Sequence, residues 1–133
     1  MTYLIQGVGV LQIGLAILHL LFPARFNWRE ETARLSLLNR QIFYVHTFFV
    51  CVILVLFGLL SVFFASELLR GDLFSRAISG GISAFWFMRL LAQLFVYDSA
   101  LWKGKTFETT VHIAFILLWI GLTSVYAMPV FRI

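Results

Sequence analysis

The chain has 133 residues, of which 62% are hydrophobic and 12% charged, against about 45–50% and about 25% in ordinary soluble domains. This excess excludes a small water-soluble domain, which must keep a polar surface, and makes lipid the solvent for most of the chain. The formal charge of +4 does not indicate nucleic acid, because the basic residues flank apolar runs, where topology determinants sit.

The sequence predicts a single all-α domain, an integral membrane four-helix transmembrane bundle with antiparallel up-down-up-down order. Its helices are expected at about 4–22, 41–65, 77–97 and 109–130. Each run is close to the roughly 20 residues that cross about 30 Å of hydrocarbon. Backbone groups in lipid must pair within their own segment, so runs of this length are helices. No alternating pattern suggests a barrel.

The first run follows MTYLIQGVG, which has no basic n-region and is followed by no small-residue cleavage site, so it is expected to remain in the mature protein. It carries Gln12 and, seven residues later on the same face, His19. Gly7, Gly9 and Gly14 are expected to leave room for a flat macrocycle. Pro23 is expected to stop the helix, because proline cannot continue the hydrogen-bond ladder.

The next stretch, PARFNWREETARLSLLN (23–39), mixes aromatic and aliphatic residues with charges. Asn27 followed three residues later by Glu30 fits a helix start. A short interfacial amphipathic helix is expected there, with Trp28 at headgroup level. The second run, entered through NRQIFYVH, places His46 five residues inside. Its Cys51 has no second cysteine to pair with and is expected to be a buried, inert thiol.

A tight charged turn, SELLRGDLFSR (66–76), with Gly71 at its tip leads to the third run. Arg89, Gln93 and Tyr97 are spaced i, i+4, i+8 and share one face, with Asp98 at the end. A second turn, SALWKGKTFE (99–108), has Gly104 between two lysines. In the fourth run Glu108 lies four residues before His112, and Trp119 seven after it.

The 23–40 and 99–108 loops hold Arg25, Arg29, Arg34, Arg40, Lys103 and Lys105, whereas the opposite side holds Arg70, Arg76 and Arg132. The positive-inside bias then places those two loops in the cytoplasm and both termini outside a plasma or inner membrane.

His19, His46 and His112 all fall within about 4–8 Å of the more basic boundary at 1.5 Å per residue. Imidazoles from different helices at one depth suit a metal or heme iron. The leading expectation is therefore heme b or a transition metal ion held by these histidines, with Glu108 or Asp98 as an oxygen ligand of a non-heme centre. A carbonyl or carboxylate should fix each ring through its second nitrogen. Electron transfer or redox chemistry on a lipophilic substrate such as a quinone would follow.

Arg89, about 13 Å deep at helical rise, has no carboxylate at its level. It is expected to bond Gln12, Gln93 and backbone carbonyls, or to face an anionic or carbonyl-bearing ligand, with Tyr97 and Asp98 delivering protons and Trp119 lining the pocket. Two other readings compete. One is a non-catalytic structural or assembly subunit, completed by partner membrane subunits or a second copy. The other is a cofactor-free membrane enzyme or lipid binder using Arg89 and a histidine. Transport has less to stand on, because four helices without an internal repeat offer little for alternating access. Enzymatic activity is left open.

Overall fold

The computed structural model describes residues 1–132. The elements are α1 (Thr2–Arg25), α2 (Trp28–Glu31), α3 (Leu37–Phe63), α4 (Ala65–Leu68), α5 (Leu73–Phe95) and α6 (Thr106–Phe131), with 3₁₀ turns at Thr32–Arg34 and Ser99–Leu101. There is no strand among the described residues. The chain is all-α, as its composition predicts. α1, α3, α5 and α6 are each long and apolar enough to cross a membrane, α5 being the least apolar. These four helices fit a small integral membrane protein.

The helix ends differ from the expected ones for local reasons. α1 runs through Pro23 to Arg25, correcting the expectation that Pro23 ends it. Proline removes one donor only, and the next turn still closes through the Phe26 N–H to the Phe22 carbonyl at 2.9 Å. α3 begins four residues before position 41 because Ser36 caps it, its side chain accepting from the Asn39 N–H. Between them α2 is a single turn. Asn27 precedes it in the left-handed region at φ 54° and donates its amide to Glu30 at 2.7 Å. Trp28 lies edge-on to Phe43 at 4.6 Å between centroids, packed onto α3.

The described chain forms two compact units, residues 3–65 and residues 66–132 together with the first two residues. The first is built on α1 and α3, which run antiparallel: Gln6 donates to the Val62 carbonyl at 3.2 Å. Gly9 and Gly58 meet at this contact. A Cβ on Gly9 would lie 2.8 Å from both the Gly58 carbonyl oxygen and Ser61 Cβ. Gly9 therefore brings backbones together and leaves no space there for a macrocycle. Gly7 and Gly14 have nothing within 4 Å of such a Cβ.

The second unit is built on α5 and α6, also antiparallel. Arg76 Nε donates to the Val130 carbonyl at 3.0 Å, Ser83 Oγ to the Thr123 carbonyl at 2.8 Å, and Gln93 reaches His112. The turn before α5 has the expected left-handed glycine, Gly71 at φ 81°. Asp72 caps α5 by accepting from the Ser75 N–H at 2.8 Å. That bond, with smaller help from the Ser75 side chain and Arg70, holds the Asp72 carboxyl below its ordinary range. Gly104, at φ 75°, turns the chain towards α6.

Candidate functional site

The second unit gathers five of the residues singled out in the sequence: Arg89, Gln93, Tyr97, His112 and Trp119. Gln93 is their hub. It is buried on the face of α5 turned to α6, and its amide nitrogen lies 2.7 Å from His112 Nδ1. Its carbonyl oxygen accepts from Trp119 Nε1 and from Arg89 Nη1, each at 3.4 Å.

This arrangement settles the orientation of the amide and the tautomer of the ring. Indole and guanidinium are donors only, so the oxygen of Gln93 must face them and the NH₂ must face His112. His112 Nδ1 then accepts, and in the neutral ring the proton sits on Nε2. Trp102, in the turn between α5 and α6, lies flat on that imidazole at 3.7 Å between centroids and 9° between planes. Its carbonyl accepts from Thr109 Oγ1 at 2.7 Å, which ties the loop to the first turn of α6.

Arg89 extends along α5 towards Tyr97. Its Nη2 is 3.4 Å from the Tyr97 hydroxyl, and its guanidinium carbon stands 4.9 Å from the Trp119 ring centroid and 5.6 Å from that of Tyr97. Arg89 and Tyr97, eight residues apart, thus meet through two side chains that share the distance, a contact towards the helix end that depth alone did not suggest. Cation–π contacts of this kind contribute about 0.5–2 kcal/mol each. Both hydrogen bonds of Arg89 are long, and among the described residues no carboxylate is within ion-pair range of it. Below it Trp119 stacks on Trp86 at 5.1 Å and on Phe115 at 5.4 Å, a rigid aromatic floor.

Asp98 lies outside this cluster in role: its side chain accepts from the Ala100 N–H at 2.8 Å and caps the 3₁₀ turn. Glu108 is exposed in the first turn of α6. Gln12, His19 and His46 belong to the other unit. Gln12 is fully buried and donates to the Val8 carbonyl at 3.2 Å. His19 Nδ1 lies 2.7 Å from the Leu15 carbonyl oxygen, and His46 Nδ1 lies 2.8 Å from that of Ile42. Since carbonyls only accept, both rings carry the proton on Nδ1 and keep a lone pair on Nε2 when neutral. His46 is exposed and His19 partly so. Among the described residues no group of three or more His, Cys, Asp or Glu side chains is placed to hold a metal ion.

The chain matches no family model, no curated protein and no solved structure.

Proposed function

We propose that this is a membrane-embedded binding protein for a lipophilic molecule with an anionic or carbonyl oxygen, received by Arg89. The observation that carries this reading is the state of the guanidinium: laid over Trp119, with two long hydrogen bonds and no carboxylate partner among the described residues, on a helix apolar enough to cross a membrane. A charge in such a segment costs about 2.5–3.5 kcal/mol on insertion scales, so keeping one calls for a use. A fatty carboxylate or a quinone carbonyl would supply the missing acceptor and lay its apolar body along the aromatic floor. Tyr97 offers a second donor, and His112 under Trp102 forms the adjoining wall.

The test is titration of the detergent-purified protein with oleate and with decylubiquinone, followed by tryptophan emission. Saturable quenching is expected, weaker in Arg89→Lys and lost in Arg89→Leu. Equal binding of both probes by the Arg89→Leu protein removes the reading.

A second reading rests on the other two histidines. The Nδ1–H to carbonyl bonds of His19 and His46 are the support that iron-ligating imidazoles require, and they leave Nε2 for a heme b iron, with electron transfer as the function. Visible spectra of the purified protein, oxidised and dithionite-reduced, decide it. A reducible Soret band lost in both His19→Ala and His46→Ala supports heme, and its absence after growth with heme available rejects it.

A further inference from the structure

The second unit contains a cleft of about 500 Å³ at the end of the helix pair away from Gln93 and His112, lined by Met1, Leu69, Arg70, Gly71, Met128, Pro129 and Arg132. Two guanidinium groups share it with apolar walls, and they differ in how they are engaged. Arg70 is neutralised by Glu67 at 3.0 Å and by Asp72 at 3.4 Å. Among the described residues Arg132 is held by the Gly71 carbonyl, 3.1 Å from Nη2, and has no carboxylate partner. Arg76, nearby on α5, is likewise held by a carbonyl, that of Val130. Among the described side chains, the three arginines here outnumber Glu67 and Asp72. The planar fork of Arg132 keeps donors free for a second acceptor, the geometry that suits phosphate oxygens. Close in sequence to the lining residues, Leu73, Phe74 and Phe131 are strongly exposed, and the cleft lies at the ends of two helices long enough to span a membrane, where headgroups would sit.

We infer that this cleft binds an anionic phosphate group through Arg132, with Arg70 and Arg76 setting the local field. The phosphate can come from an anionic phospholipid, whose chains would lie on Leu73, Phe74 and Phe131, or from the free ion, and the experiment separates these sources. Delipidated protein in detergent is titrated with phosphatidylglycerol, with diacylglycerol of the same chains, which lacks the phosphate, or with inorganic phosphate, and bound species are counted by native mass spectrometry. Phosphatidylglycerol is expected to be retained about tenfold better than diacylglycerol, the scale of one charge-assisted hydrogen bond. Arg132→Gln should abolish that preference. Met128→Trp, which occupies the cleft without touching a charge, should lower retention of phosphatidylglycerol by a similar factor. Binding of inorganic phosphate alone, with the same dependence on both variants, supports the site and assigns it to the free ion. Equal retention of the two lipids with no binding of inorganic phosphate overturns the inference, as does retention unchanged in both variants.

Discussion

Gln93 and His112 are joined across α5 and α6 by a 2.7 Å contact in which the amide donates and the imidazole accepts. The direction of that bond is imposed from the other end of Gln93, where Trp119 and Arg89 can only donate. Replacing Gln93 by Glu leaves, in the ionised form, an acceptor-only group in its place. The contact then survives only if His112 carries a proton on Nδ1. In histidine-labelled protein the ¹⁵N signal of His112 Nδ1 is expected to pass from the unprotonated to the protonated position in Gln93→Glu. An unshifted signal would show that the bond is not polarised as described.

Gln93→Leu makes the energetic counterpart. It strips the acceptor from a buried indole N–H and from Arg89, at a cost of about 1–3 kcal/mol for the groups left unmet. Thermal unfolding in detergent should register this as a clear drop in midpoint, larger than that of Tyr97→Phe, whose hydroxyl serves a single 3.4 Å contact near the surface.

Arg89→Leu separates ligand reception from scaffolding. The charge itself is worth up to about 2.5–3.5 kcal/mol against insertion, set against two long hydrogen bonds and two cation–π contacts of about 0.5–2 kcal/mol each. The variant should therefore unfold at a temperature close to that of the parent while losing the response to oleate and decylubiquinone. A marked fall in midpoint would make Arg89 a structural residue.

Asp72 gives a pH dependence of known sign. Its carboxyl is depressed chiefly by the Ser75 N–H that it caps. A group depressed in the folded state stabilises above its ordinary value, near pH 4, and the contribution is lost as pH falls through the folded value below that. Unfolding midpoints measured from pH 6 downward should show an acid loss that is reduced in Asp72→Asn. Asparagine still caps and does not titrate, so the parent should be the more stable of the two at neutral pH and should converge on the variant as the Asp72 carboxyl takes up its proton.

Gly9 and Gly58 predict a sharp contrast among glycines. Alanine at position 9 would push its Cβ into the backbone of α3 and into Ser61, and overpacking of this kind costs about 1–3 kcal/mol. Gly7→Ala and Gly14→Ala meet nothing within 4 Å and should leave the unfolding midpoint unchanged or raised, because alanine is the better helix former.

The four long helices were legible because apolar runs of spanning length admit no other backbone in lipid. Their ends were less so. Ser36 and Asp72 act one turn or less before the apolar stretch, where a cap looks like any polar loop residue. Pro23 was misleading because proline near a helix end costs one bond without ending the helix. Within the site, the i, i+4, i+8 spacing of Arg89, Gln93 and Tyr97 was readable as a shared face, as was Trp119 on the face of His112. The stacking of Trp102 on His112 has no periodic signature, since it depends on the path of a loop. The donor and acceptor roles of His112 depend on which way a neighbouring amide points, and no sequence pattern records that. Gly9 looked like open room because its partner, Gly58, lies 49 positions away in the chain.

The polar line along α5 also bears on how the protein is made. α5 is the weakest of the four spans and carries Arg89, so it would partition poorly from the translocon as a solitary segment. α6 brings Trp119 and His112, the groups on which that polar line closes. The two should therefore leave the channel as a helical hairpin, and a ribosome stalled before α6 emerges should leave α5 accessible to modification from the aqueous side.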